Sequence, residues 1–138
     1  MATSQFRAAA EAELNKRTEI AKQFVQFYYS LFDNPDRSQV AQLGNLYNDQ
    51  SMLTFEDGKF FGKQEIMEKI TGLPFQKVAH SINDFTVQCL FTGILVSVGG
   101  ELKVDDEANA LQFSQIFVLV PENESYIISN DLFRFRYS

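Results

Sequence analysis

The sequence predicts an α+β fold: a strongly curved antiparallel sheet packed around three helices, forming a cone with an apolar cavity. Three observations lead there. Helical spacing of apolar residues is confined to the first half of the chain, while everything after Phe75 alternates with a strand period, so the two patterns are segregated. The stretch Leu111–Val120 places Leu111, Phe113, Gln115, Phe117 and Leu119 on one side and Gln112, Ser114, Ile116, Val118 and Val120 on the other, with apolar material on both. Gly99-Gly100 allows a bulge or sharp bend where a long strand must curl.

The length of 138 residues fits one domain, and 14 phenylalanines within a 45% hydrophobic chain are enough to fill its core. A net charge of −6 with dispersed Lys and Arg argues against a nucleic-acid binder and for a partner bearing positive charge. Cys89 is the single cysteine, so there is no internal disulfide framework; within VQCLF it reads as a core thiol. The first residues lack the apolar core of a signal peptide, and no run reaches membrane-helix length. A soluble protein of cytoplasm and nucleus, without membrane insertion, is expected.

The first helix starts in the strong helix formers Ala8–Leu14 and continues through Ala21, Phe24, Val25, Tyr28, Leu31 and Phe32, a stripe that must be buried. Its first turns are more polar and are expected to project or fray; residues 1–23 are read as an extension plus the helix start, and 24–138 as the domain proper. Asn34-Pro35 ends the helix, and Asp36 is placed to cap a second one carrying Val40, Leu43, Leu46 and Tyr47 on one side. Ser51–Glu56 then reads as a strand, Asp57-Gly58 as a hairpin turn and Lys59–Phe61 as the return. Gly62–Ile70 makes a third helix with Ile66, Met67 and Ile70 inward, stopped by Gly72-Leu73-Pro74. Lys77–Val87 and Leu90–Val104 are β-prone, Asp105-Asp106-Glu107 is an acidic loop, and the final hairpin turns through Pro121–Ser125.

No phosphate-binding glycine loop, dinucleotide fingerprint, HExxH, cysteine pair, EF-hand or GxSxG is present, and no cofactor or metal is expected. His80, the sole histidine, is either a hydrogen-bonded strand residue or a general base. Tyr28 and Asp131 are cavity candidates, a desolvated Asp131 being the best carboxylate for proton transfer; each is equally a satisfied core group. The acidic loop alone reads as solvated surface.

FVQFYYSLFDN (24–34), LTFEDGKFFGKQEI (53–66), LPFQKVAHSI (73–82), VGGELKVDDE (98–107) and SNDLFRF (129–135) resemble, in the same order, blocks of the nuclear transport factor 2 family. The resemblance implies a homodimer formed across sheets, and a non-enzymatic carrier that binds GDP-bound Ran and the phenylalanine-glycine repeats of nucleoporins at the nuclear pore. The family's Ran-binding glutamate falls on Glu56, with Phe55 in place of the preceding tryptophan; its rim acids fall on Asp105 and Glu107, with Asp106 between them. There an apolar anchor supplies burial while acids orient a basic partner. The nucleoporin-binding positions fall on Asp33, Leu132 and Phe133 and near Arg17, where the family carries tryptophan.

Two alternatives use the same fold: a small-molecule isomerase or dehydratase, favoured if His80 and Asp131 face one dry cavity, and a non-catalytic scaffolding dimer. Ile116, Val118 and Val120, grouped with Ile127, Phe133 and Phe135, are expected to form the dimer face, since short helices leave that much apolar surface uncovered.

Overall fold

The computed structural model describes residues 2–136. In chain order it contains α1 (Ala2–Phe32), a 3-10 helix (Arg37–Leu46), β1 (Tyr47–Phe55), β2 (Gly58–Phe61), α2 (Gly62–Thr71), β3 (Val78–Leu90), β4 (Gly93–Val104), β5 (Leu111–Glu122) and β6 (Ser125–Arg136). The core lies between the helices and one face of the sheet. Ala21, Val25, Tyr28 and Tyr29 of α1 are buried, and the Tyr28 ring meets Phe117 of β5 edge-on at 4.9 Å between centroids. From β1, α2 and β6, Leu53, Ile66, Ile70 and Ile128 complete the packing.

The expected sheet needs correction in two respects. It is mixed rather than antiparallel, because β1 runs parallel to β6, and it is open, in the order β2-β1-β6-β5-β4-β3, rather than strongly curled into a cone. Period-two alternation states which side chains share a face but is indifferent to the direction of the neighbouring strand. Strands β3 to β6 alternate direction through consecutive antiparallel pairs, and β6 then meets β1 in parallel. The two ends of the order, β2 and β3, do not pair with each other. The bend signal at Gly99-Gly100 has a local outcome: Ile82 pairs with Gly100 and Asp84 with Gly99, leaving Asn83 as an extra residue in β3. A Cβ on Gly100 would lie 2.1 Å from the carbonyl oxygen of Ser81, so only glycine fits there.

Smaller differences have physical causes. The element after Asp36 is a 3-10 helix because its apolar residues Val40, Leu43 and Leu46 are spaced by three; Asp36 caps it through Ser38, and Tyr47 opens β1 instead of extending it. Phe55 pairs with Gly58, so the β1–β2 turn is centred on Glu56-Asp57, one residue earlier than the Asp57-Gly58 signal. The β5–β6 turn shrinks to Asn123-Glu124, both with positive φ, which suits a tight hairpin. Helix α1 is continuous from Ala2, residues 3–12 are exposed, and its anchor to the sheet is Arg17, which donates to the carbonyls of Phe91 and Gly93 at 2.7 and 2.8 Å. Cys89 is exposed on the edge strand β3 rather than in the core.

The two faces of β5–β6 separate residues that the sequence grouped together. Ile116 pairs with Leu132, Val118 with Asn130 and Val120 with Ile127, all away from the helices. Gln115 pairs with Phe133 and Phe113 with Phe135, toward the helices. Ser129 is an extra residue between the pairs Leu119–Ile128 and Val118–Asn130, and a one-residue slip moves every later side chain to the other face. Ile127 therefore stays with Ile116, Val118 and Val120, whereas Phe133 and Phe135 do not.

Candidate functional site

A small apolar pocket of about 30 Å³ lies between α1, α2 and the inner sheet face. Its more exposed walls are Phe55, Phe75 and Phe135; deeper in are Leu53, Leu102 and Phe133. Phe55 stacks on Phe133 at 4.8 Å, Phe133 stacks in turn near Phe113 at 5.6 Å, and the Lys69 ammonium sits 5.0 Å above the Phe55 ring. The β1–β2 turn and the connections after α2 and β4 bring these walls together from distant parts of the chain.

Two acids flank the pocket through strained backbone. Glu56 has φ 54 and Asp105 φ 52, a left-handed conformation uncommon for residues with a Cβ, and each is held there by hydrogen bonds. The Glu56 N–H donates to the Phe133 carbonyl at 3.0 Å, and its Oε1 accepts from the Phe135 N–H at 2.8 Å. The second carboxylate oxygen, Oε2, faces Arg134 at 3.8 Å. Oδ1 of Asp105 accepts from the backbone N–H groups of Gln76 and Lys77 at 2.8 and 2.9 Å, joining the acidic loop to the segment that carries Phe75. Asp105 and Glu107 border a shallow depression that shares Phe75 with the pocket, and Asp106 is exposed. Phe55, which precedes Glu56, and Phe75, which neighbours Asp105 and Glu107, both line the pocket.

His80 lines the pocket with its side chain 4% exposed. Asp33 holds it twice: Oδ2 accepts from the His80 backbone N–H at 2.8 Å, and Oδ1 lies 2.6 Å from Nδ1, within hydrogen-bond distance. The ring packs on Tyr29 at 4.5 Å and against the edge of Phe113 at 5.3 Å. Asp33 is therefore engaged by β3. Leu132 is 43% exposed on the outer sheet face, Phe133 is buried on the inner one, and Arg17 sits at the β3–β4 turn, so the four nucleoporin candidates do not form one cluster.

Asp131 is fully buried and lies outside the pocket lining. Its Oδ2 accepts from the Tyr47 hydroxyl at 2.7 Å and its Oδ1 from Gln115 Nε2 at 2.8 Å, while Gln115 Oε1 accepts from Tyr29 at 2.6 Å. Burial pushes the Asp131 carboxyl from its ordinary 3.8 up to about 6, against the Gln115 and Tyr47 hydrogen bonds that favour its charged form. Burial likewise raises the hydroxyls of Tyr28, Tyr29 and Tyr47, the neighbouring charge of Asp131 adding to it. Reading the sequence missed this network and the Asp33–His80 pair. Their members are separated by 16 to 86 positions, and no local pattern links them. Among the described residues no cluster of His, Cys, Asp and Glu is placed to hold a metal, and no helix is long and apolar enough to cross a membrane.

Residues 20–135 match the model of the nuclear transport factor 2 domain. Nuclear transport factor 2 of Eremothecium gossypii is 51% identical over 121 residues, covering 86% of this chain and 94% of that protein. The Saccharomyces cerevisiae protein of the same name is 47% identical with the same coverage. The solved structure of nuclear transport factor 2 from Cryptosporidium parvum, 42% identical, superposes with a TM-score of 0.80 over 86% of this chain and 94% of that one. The chain belongs to the nuclear transport factor 2 family.

Proposed function

We propose that this chain is a nucleocytoplasmic transport carrier that binds GDP-bound Ran and nucleoporin phenylalanine-glycine repeats and carries Ran into the nucleus. The observation that carries this reading is the family match across residues 20–135, with relatives named for nuclear transport at about half identity. The pocket geometry supports it chemically. Phe55 and the neighbouring aromatic walls offer burial to an inserted side chain, while Glu56, Asp105, Asp106 and Glu107 supply negative charge at the opening, so burial gives adhesion and charge gives orientation. The protein works in cytoplasm and nucleus, concentrated at the pore.

The outer face of β5–β6 serves the homodimer in this reading, with Ile116, Val118, Val120 and Ile127 joined by Leu132, whose partial exposure leaves apolar surface for a second copy. Repeat phenylalanines bind beside that boundary, near Leu132, with Phe133 beneath it; Asp33 against the start of β3 and Arg17 at the β3–β4 turn are separate contacts. Single insertions are weak, and multiplicity makes them effective. No catalytic step is assigned: the enzyme alternative asked His80 and Asp131 to face one cavity, and Asp131 is enclosed by Tyr47 and Gln115 instead.

Capture of the intact protein on immobilised Ran, loaded with GDP or with GTP, tests the reading. Retention on the GDP form alone is expected, together with sedimentation as a species heavier than the 15.8 kDa chain. Equal retention on both forms, or none, overturns it.

A further inference from the structure

Helix α1 outruns the domain it packs on. The stripe that buries Ala21, Val25 and Tyr28 continues toward the N-terminus through Arg17, Leu14, Ala10 and Thr3, because steps of three and four residues keep to one helix face. Arg17, tied to the carbonyls of Phe91 and Gly93, marks where the sheet ends. Beyond it the same face is bare. Residues 3–12 are exposed, Phe6 is 76% exposed, and Thr3, Phe6, Arg7, Ala10, Glu11 and Leu14 line a shallow hollow along the helix. Phe91, on the turn that Arg17 holds, is 92% exposed. The family match starts at residue 20, so this stretch lies outside it.

What fits this face follows from its symmetry. Ala10 lies near the middle of the stretch from Ala2 to Arg17, so the bare face extends about 10 to 12 Å to either side of it. An antiparallel helix of the same sequence centred there sets Ala10 against Ala10, where small side chains permit close approach, and Phe6 beside Leu14 of the second copy. Arg7 and Glu11, paired with each other at 2.6 Å, share one flank of the stripe, so each Arg7 also meets Glu11 of the second copy. The first turn of the second copy then ends at Arg17, beside the exposed Phe91. Along residues 2–16, Arg7 and Lys16 balance Glu11 and Glu13, which suits a like helix better than a strongly charged partner or an anionic lipid surface.

We propose that the bare face of α1 is a self-association surface, on which the helices of two copies pair antiparallel about Ala10. It goes beyond the carrier reading and lies apart from the outer sheet face that serves the homodimer there. One phenylalanine and one leucine per copy bury little apolar area against the cost of association, so the contact forms only at high concentration. Sedimentation of the intact protein at rising concentration should show the dilute species giving way to one of at least twice its mass. Phe6→Glu should abolish that step and leave the dilute species and its circular dichroism unchanged, since Phe6 is exposed. Arg7→Glu and Glu11→Arg each place like charges along the flank. Either variant alone should lose the step, and an equimolar mixture of the two should regain it. That recovery is specific to pairing between copies; a helix that docks instead on another protein or on a lipid vesicle gives none. A mass that stays constant with concentration, a step that survives Phe6→Glu, or a mixture that fails to associate overturns the proposal. None of these residues belongs to the family match, so failure here and failure of the carrier reading are distinguishable.

Discussion

Glu56 and Asp131 are two carboxylates at the same β1–β6 seam, on opposite sides of the line between water and core. Glu56 follows β1 at the turn, about a third exposed, one oxygen fixed by a backbone N–H of β6 and the other turned toward Arg134. Asp131 sits within β6, paired in register with Leu53, fully buried, with both oxygens taken by neutral donors. The same functional group is thus used in two ways. At the rim, the carboxylate meets solvent and the nearby Arg134; in the core, desolvation works against the charge and the group organises its neighbours.

The largest expected separation between them is in binding. Glu56→Lys converts attraction into repulsion at the opening, and truncating a hydrogen-bonded interfacial charge already costs roughly 2 to 5 kcal/mol. Calorimetry against GDP-loaded Ran should show at least that loss. The variant should remain folded and dimeric, because Glu56 is not on the outer sheet face. Unchanged affinity in a folded, dimeric Glu56→Lys protein would remove the acid from the partner site.

The core carboxylate should report in stability instead. Two routes probe it. Asp131 has a folded pKa of about 6 against an ordinary 3.8, so the folded state binds more protons in between; the contribution of this group is fully present below about pH 4 and is lost as pH rises through 6. Urea unfolding of the native protein and of Asp131→Asn at successive pH values should therefore diverge in favour of the native protein as pH falls from 7 to 4, by an amount on the order of 3 kcal/mol. Parallel curves would mean that Asp131 does not titrate in this window.

Tyr47→Phe is the second route and the smaller effect. It deletes the donor to Oδ2 and leaves a buried acceptor short of one partner, which costs about 1 to 3 kcal/mol. The loss should appear as a lower urea midpoint at constant slope, with Ran affinity of the folded protein unaffected.

The smallest effect sharpens the rim side. Asp106 is exposed and has no partner among the described residues, unlike Asp105, which ties its loop to Gln76 and Lys77. Asp106→Asn should leave stability unchanged and slow association with Ran only modestly, with a reduced dependence on salt. Asp105→Asn is expected to perturb the loop as well as the charge, so the two substitutions separate steering from anchoring.

Much of this was legible in the chain because it is written in local spacing. The stripe Ala21, Val25, Tyr28 specified α1, the alternation in Leu111–Val120 specified β5, and the order of five short blocks specified the family. What escaped depended on residues far apart in sequence. The parallel β1–β6 pairing, the single residue Ser129 that moves Phe133 and Phe135 to the inner face, and the Asp33–His80 contact leave no periodic trace, since alternation constrains a face but not a neighbour. Sequence alone determined the order and type of most elements and which helix stripes must be buried, because those follow from hydrophobic spacing, while element ends shifted by several residues. Only the tertiary structure decided which carboxylate faces water and which is sealed, because desolvation is a property of everything packed around a group and not of the residue itself.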